Sequence, residues 1–147
     1  MGKRASPQIR IFISHILASA LASLPLDRPE PRMSLPVLIQ HLACSKLASY
    51  CEQKLPPLAR DKIRLEIDID GETVVLSESR PHFRNTATWV RLPVAGFRFN
   101  LASRTWTLLC PKIGQPGSWR VYPARPEHDL GKLIKLLDLD ETGAFWG

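Results

Sequence analysis

Acidic residues are absent from a 48-residue stretch of this sequence, which runs from Ser79 to Pro126. The same stretch holds eight basic residues: Arg80, Arg84, Arg91, Arg98, Arg104, Lys112, Arg120 and Arg125. It also holds seven aromatic residues: Phe83, Trp89, Phe97, Phe99, Trp106, Trp119 and Tyr122. Acidic residues resume on both sides, so the chain as a whole has a net charge of only +6. This pattern indicates an anionic partner, although it names no activity.

Long apolar runs and paired cysteines are also lacking. The longest weakly polar run, Ile11 to Leu24, falls short of the roughly 20 residues that a membrane-spanning helix needs. Three cysteines are an odd number without the spacing of a disulfide framework, which argues against a secreted, disulfide-stapled fold. The sequence has no glycine-rich phosphate loop or dinucleotide fingerprint. We therefore expect a cytoplasmic protein with no membrane partner and no cofactor.

Residues 1–32 form an N-terminal extension that allows three interpretations. Basic residues precede an apolar run with small-residue triplets, which is one pattern of a signal peptide. The apolar residues also recur at helical spacing after Ser6-Pro7, as in an amphipathic helix docked on a domain. Alternatively, Met33 is the true start and the extension has no role. Residues 33–147 have the length and apolar content of a single globular domain.

The first half of this domain predicts a helix followed by a hairpin. Helical spacing runs from Ser34 to Pro56-Pro57, with an apolar face that includes Leu38 and Leu42. From Lys62 the apolar residues alternate with polar ones, which is typical of a half-buried strand. A two-residue turn at Asp70-Gly71 would set Ile67 opposite Val74 and Asp61 opposite Arg80.

The second half predicts three more strands and a closing helix. Residues 88–99 form a long strand, and its Pro93 and Gly96 indicate an edge or a bulge. Residues 104–110 return as the next strand, with Phe97 opposite Trp106, and residues 119–122 form a fifth short strand. A helix from about residue 127 to 138 follows, with Gly143 as its stop. The expected fold is α+β, a five-stranded antiparallel meander with N-terminal helices and a C-terminal helix.

An ordered set of aromatic and basic residues carries a resemblance to a known family. The set comprises Glu78 with Arg80-Pro81, Trp89, Phe97-Arg98-Phe99, the segment Arg104-Thr105-Trp106-Thr107-Leu108, Trp119, Tyr122 and the terminal Phe145-Trp146-Gly147. It resembles the bacterial domain of unknown function 3024, over roughly residues 35–147. The resemblance implies a compact bacterial domain and no established activity.

Four arginines of the acid-free stretch are the candidate nucleic-acid-binding residues: Arg91, Arg98, Arg104 and Arg120. Cations on a sheet neutralise phosphates, and exposed rings stack on unpaired bases, so single-stranded nucleic acid is the leading partner. An alternative is that these cations pair with the acidic flanks of the chain itself, or with an acidic protein. Strand alternation also places many of the rings in the core. We expect a non-catalytic binding module, and the sequence leaves the oligomeric state open.

A protein-interaction module is the main alternative function, with Trp146 at the chain end as the candidate partner-binding residue. A metal-dependent nuclease is a minor alternative. It would use Asp68 or Asp70 with Glu78 as carboxylate ligands of a divalent cation, beside Arg80. Arginine keeps its proton, so Arg80 would stabilise charge without acting as a base. His41 and Cys44 share a helix face, but no second ligand pair accompanies them, so we expect no metal site and no catalytic residue.

Overall fold

The computed structural model describes residues 11–13 and 34–147, which form six strands and two α-helices. The strands are β1 (Ile11–Ile13), β2 (Arg64–Asp70), β3 (Thr73–Pro81), β4 (Trp89–Asn100), β5 (Thr105–Pro111) and β6 (Trp119–Val121). The α-helices are α1 (Val37–Lys54) and α2 (Leu130–Leu139), and a short 3-10 helix spans Pro57–Ala59. No helix in the described ranges is long and apolar enough to cross a membrane.

All six strands belong to one sheet, in the order in which they occur along the chain. Strands β2 to β6 pair antiparallel with their neighbours, which confirms the five-stranded antiparallel meander. Strand β1 adds a parallel edge, with Ile11 opposite Ile67. The helix that the spacing predicted is therefore not formed at Ile11–Ile13. β-Branched and aromatic residue types favour a strand, and the edge of β2 is open to pairing. Residues 1–10 and 14–33, with the rest of that prediction, lie outside the described residues.

The β2–β3 hairpin has its loop one residue later than the sequence predicted. Asp70 pairs with Thr73, so the two loop residues are Gly71 and Glu72. Gly71 has φ 60°, which suits the first loop position of a type II′ turn. The pairing shifts by two residues, so that Ile67 lies opposite Leu76 rather than Val74. An even shift keeps every side chain on its predicted face.

The predicted pairing of Asp61 with Arg80 is wrong for the same reason. Strand β2 begins only at Arg64, and Arg80 pairs with Val90 on the next strand. The Arg80 guanidinium instead contacts the Glu78 carboxylate on its own strand.

Strand β4 carries the predicted irregularity. Leu76 pairs with Ala95 and Ser77 pairs with Pro93, so Val94 is an extra residue and forms a bulge. Only Gly96 to Asn100 pair with β5, which leaves Pro93 without a β5 partner, as the missing N–H of proline requires. The β4–β5 pairing is also shifted by two residues from the prediction, and Phe99 rather than Phe97 lies opposite Trp106.

The β4–β5 shift arises because residues 101–104 form the loop. Arg104 has φ 54° in the left-handed region, so it ends the loop and does not start β5.

Helix α1 begins after Pro36 and buries Ala43, Cys44, Leu47 and Cys51 against β2, β3 and α2. Leu38 and Leu42, which the periodicity placed on the apolar face, are exposed. The buried stripe is therefore narrower than the apolar stripe of the sequence.

Helix α2 confirms the predicted C-terminal helix with later bounds. The Asp129 side chain caps its start by accepting a hydrogen bond from the Gly131 N–H at 2.8 Å. The helix starts later than expected because Glu127 still bridges to Trp106 of β5. It ends at Leu139, and Asp140, which caps the C-terminus, has a left-handed φ of 42°. Gly143 belongs to the turn that follows.

The core lies between the two helices and one face of the sheet. Leu65, Ile67, Val74, Leu76, Phe97, Phe99, Trp106, Leu108 and Cys110 line this face and share one buried cluster with α1 and α2. In residues 34–147, neither α-helix packs on the opposite face, which we call the outer face. The register places these residues on the outer face: Arg64, Glu66, Asp68, Thr73, Val75, Ser77, Ser79, Trp89, Arg91, Gly96, Arg98, Thr107, Leu109, Trp119 and Val121.

Candidate nucleic-acid interface

Arg91, the first of the four candidate arginines, lies in a polar cluster on the outer face. Its Nε is 3.2 Å from Oε2 of Glu66, and its guanidinium also contacts the Asp68 carboxylate. The Ser79 hydroxyl donates a second hydrogen bond to Glu66, at 3.2 Å. Glu66 is only 8% exposed, and a carboxylate at such a site needs compensating charge. Arg91 therefore serves the protein's own acids, which agrees with the alternative drawn from the acidic flanks.

The strand geometry explains why these residues meet. Glu66 and Asp68 are two apart on β2 and project from the same face. Ser77 lies opposite Glu66, and Ser79 lies opposite Arg91, so small side chains on β3 leave room between β2 and β4. The arginine can thus reach across β3 to both carboxylates.

Arg98 and Arg104 belong to the β4–β5 hairpin and have different surroundings. Arg98 is exposed on the outer face, between Thr73 of β3 and Thr107 of β5. Arg104 is exposed in the loop, and its carbonyl oxygen lies 3.0 Å from Nδ1 of His128. Within the described part of the chain, neither guanidinium forms an ion pair. These two arginines keep their charge available to a partner.

Arg120 points to the other side of the sheet. It pairs with Cys110, whose side chain is in the core, while its neighbours Trp119 and Val121 project from the outer face. The structure therefore brings Arg91 and Arg98 to one face, leaves Arg104 at the hairpin tip and separates Arg120. The four predicted residues do not form one contiguous patch.

Most of the rings in the acid-free stretch are in the core. Phe97, Phe99, Trp106 and Tyr122 are buried, which agrees with the core interpretation for these residues. Trp89 and Trp119 are half-buried on the outer face. The Arg64 guanidinium lies over the Trp89 ring at 3.7 Å from its centroid, so Trp89 is already covered. Within the acid-free stretch, residues 79–126, Trp119 is the outer-face ring that remains for stacking.

Trp146, the candidate partner-binding residue, is half-buried against the helices. The Asp140 carboxylate accepts hydrogen bonds from the backbone N–H groups of Phe145, at 3.1 Å, and Trp146, at 2.9 Å. Lys54 of α1 lies over the Trp146 ring at 5.1 Å. The chain end is folded back onto the core, and no extended docking peptide is formed.

The carboxylates of the nuclease alternative lie on opposite sides of the sheet. Asp68 and Asp70 face outward, whereas Glu78 pairs with Leu65 and faces the helices. Glu78 also contacts Arg80. The structure does not bring these acids together, because residues of opposite parity on paired strands cannot share a face.

No cluster of three or more potential metal ligands occurs among the residues that the structure describes. The cysteines lie apart from such chemistry. Cys44, Cys51 and Cys110 are buried free thiols. Burial raises the pKa of Cys51 to about 12 and also raises that of Cys44. The thiols of Cys44 and Cys51 therefore stay protonated at neutral pH. All three cysteines are small buried residues of the core.

With the geometry in place, the family described as "Domain of unknown function (DUF3024)" matches residues 35–147. The chain belongs to this family. No curated protein and no solved structure matches the chain. The matched range of the DUF3024 domain contains α1, strands β2 to β6 and α2, and therefore all of the outer-face residues named above, whereas β1 lies outside it.

The contacts within the polar cluster of the DUF3024 domain were not predicted from the sequence. From the sequence, Glu66 was only one of the polar residues of an alternating strand, and Asp68 was considered only as a metal ligand in the nuclease alternative. Their contact with Arg91 depends on the order β2-β3-β4 and on a hairpin register that composition does not give. One feature of the sequence could have indicated this contact: acidic residues occupy alternate positions along β2. A carboxylate on the face of a sheet is stabilised by a cation on a neighbouring strand.

Proposed function

We propose that the DUF3024 domain binds single-stranded nucleic acid weakly on its outer face, through Arg98 and Trp119, and at the adjoining tip of the β4–β5 hairpin, through Arg104. The observation that carries this proposal is the difference between the arginines of strand β4 and its hairpin. Arg91 forms ion pairs with Glu66 and Asp68, so these two acids and this cation already interact with each other. Arg98 and Arg104 remain as exposed cations without an ion pair in the described residues.

The spacing of these residues suits a strand that crosses the sheet. Trp119 lies opposite Pro111, four residues along β5 from Thr107, which is opposite Arg98. Strand geometry then separates Arg98 from Trp119 by about 16 Å, two strands across and four residues along. One phosphate would contact Arg98 while a base of a different nucleotide stacks on Trp119. The free thiols support a cytoplasmic location for such a protein.

Binding of this kind should depend strongly on salt. Each phosphate that a cation neutralises releases counterions, and the slope of log K against log salt is about −0.7 per phosphate for single strands. Loss of Arg98 and Arg104 together should therefore reduce the magnitude of the slope by about 1.4.

The test is fluorescence anisotropy of a labelled single-stranded oligonucleotide over a range of salt concentrations. We expect the Arg98→Ala, Arg104→Ala double variant to bind more weakly and with the smaller slope. The matched control is the Arg120→Ala, Lys135→Ala double variant, which loses the same charge from the helix side of the sheet and from α2. Equal loss in both variants would show a diffuse charge effect and would overturn the outer-face proposal. Absence of binding at low salt would overturn it as well.

A Trp119→Leu variant separates nucleic acid from an acidic protein. Leucine keeps an apolar side chain but removes the stacking surface, which is worth about 1–3 kcal/mol per base. We expect weaker oligonucleotide binding at an unchanged salt slope. Binding of an acidic polypeptide would depend on the arginines but not on the indole ring. If the Trp119→Leu variant binds the oligonucleotide as tightly as the wild type, no base stacks on Trp119, and a protein partner is favoured.

A further inference from the structure

Three loops at one end of the sheet each contain an exposed apolar side chain. The loops are residues 55–63 before β2, residues 82–88 between β3 and β4, and residues 112–118 between β5 and β6. The antiparallel pairing places all three at the same end, which we call the loop end. Leu58 and Phe83 are 92% and 82% exposed, and Ile113 is fully exposed.

Hydrogen-bonded turns hold these side chains outward. Residues 82–88 and 112–118 have the same double turn, in which the first residue donates to the carbonyl of the seventh, at 2.7 and 2.9 Å. In each loop the backbone N–H of the fourth residue donates to the carbonyl of the first, and the N–H of the seventh donates to the carbonyl of the fourth. Phe83 and Ile113 both occupy the second position, at the corner of the first turn. Gly114 follows Ile113 with φ 74°, as a type II turn requires.

The third loop has a comparable turn. The Ala59 N–H donates to the Pro56 carbonyl at 3.0 Å, and Leu58 lies within this turn. The three apolar tips are thus fixed by backbone geometry, and their exposure is built into the fold.

The same loops carry positive charge. They contain Arg60, Lys62, Arg84 and Lys112 and a single acid, Asp61. Ion pairs of the four cations are absent among residues 34–147. At the opposite end of the sheet, residues 71–72, 101–104 and 122–129 together have three acids and two bases. Of the two ends of the sheet, as residues 34–147 form them, the loop end is therefore the one that combines exposed apolar tips with an excess of cations.

We propose that the loop end docks on an anionic lipid bilayer, with Leu58, Phe83 and Ile113 inserted at the level of the headgroups. Separate apolar tips backed by cations match an interface that is apolar below and negatively charged at its surface. A protein partner would be expected to meet a continuous apolar patch with a central buried anchor. The proposal uses different residues from the nucleic-acid surface, and it departs from the sequence-based expectation of no membrane partner.

The experiment is cosedimentation of the full chain with vesicles of phosphatidylcholine, with and without phosphatidylglycerol. We expect binding to the anionic vesicles and little binding to phosphatidylcholine alone. Arg84→Gln and Lys112→Gln should each weaken binding by about fivefold, since a cation near an anionic surface contributes about that factor. Nuclease treatment should leave the binding unchanged, which excludes a nucleic-acid bridge.

The decisive variant replaces all three tips, Leu58→Ser, Phe83→Ser and Ile113→Ser. The matched control is Leu101→Ser, an exposed leucine at the opposite end of the sheet. We expect the triple variant to lose vesicle binding and to keep oligonucleotide binding, while the control keeps both. Failure of the wild type to bind anionic vesicles would overturn the proposal. So would equal vesicle binding by the triple variant and the wild type, or loss of oligonucleotide binding by the triple variant.

Insertion itself can be measured with an Ile113→Trp variant and brominated lipids. We expect bromine to quench more fluorescence in this variant than in the wild type, because the new indole lies at bromine depth. Quenching equal to that of the wild type would show that the tip stays outside the bilayer and would contradict the proposal.

Discussion

Replacing Arg91 with alanine should destabilise the fold, although the sequence assigned this residue to ligand binding. Arg91→Ala leaves Glu66 and Asp68 on the outer face without their guanidinium partner. Exposed ion pairs contribute about 0–1 kcal/mol, and removing one partner of a fully buried pair costs about 3–5 kcal/mol. The side chain of Glu66 is 11% exposed and that of Arg91 is 39% exposed, so this site lies between the two cases. We expect a loss of about 2 kcal/mol in the free energy of unfolding.

The assay is urea unfolding followed by tryptophan fluorescence, with a shift of the midpoint at an unchanged m-value. Arg98→Ala is the matched control, because Arg98 lies on the same strand and face but has no ion pair in the described residues. We expect the control to change stability by less than about 0.5 kcal/mol. The double variant Arg91→Ala, Glu66→Gln should recover part of the loss, since it removes the uncompensated charge. If Arg91→Ala costs no more stability than Arg98→Ala, Arg91 does not compensate the two carboxylates.

Two further predictions concern the core and the chain end. Because burial raises the pKa of Cys51 from 9.0 to about 12, only the unfolded state ionises this thiol between those values. Stability should then fall as the pH rises above 9, by up to about 1.4 kcal/mol per pH unit, and Cys51→Ala should have a shallower alkaline slope in urea titrations; an identical slope would contradict the assignment. Asp140→Ala removes the acceptor for the N–H groups of Phe145 and Trp146 and places alanine at φ 42°. We expect a loss of about 2 kcal/mol and greater quenching of Trp146 by acrylamide, and unchanged quenching would show that the terminus is held by other contacts.

Local patterns were sufficient to predict strands β2 to β6 and both α-helices, but not the edge strand β1. Period-two alternation predicted β2, and the helix predicted at about residues 127–138 is α2, which buries Leu130, Leu133, Ile134 and Leu137. The spacing of apolar residues reflects which face of an element is buried. Pro93 predicted the disturbance in β4, since proline cannot donate to a neighbouring strand.

Register was less predictable than the existence of the strands. The dipeptide Asp70-Gly71 fits a turn with positive φ at its second residue, whereas the fold uses Gly71 as the first loop residue. Both choices bury the same side chains, so the hydrophobic pattern does not distinguish them. The prediction that Phe97 lies opposite Trp106 was wrong by the same two-residue shift. Its cause is Arg104, which adopts a left-handed conformation that is rare for arginine.

The candidate site was only partly accessible from the sequence. The absence of acids near the arginines is a local property, but the partners of Arg91 come from β2, two strands away in the sheet. Strand parity assigns Arg98 and Arg120 to opposite faces only when the pairing of β4, β5 and β6 is known. The loop end escaped sequence reasoning because its three tips lie on separate segments that the sheet topology brings to one end.

An NMR titration with a short single-stranded oligonucleotide tests the proposed outer-face site most directly. We expect the shifted amide signals to cluster around Arg98, Thr107 and Trp119, with the tip residue Arg104 included. The chemical shifts of amides in α1, α2 and the 82–88 loop should not change. Shifts centred on the helices or on the loop end, with none around Arg98, would show that the outer face is not the binding site.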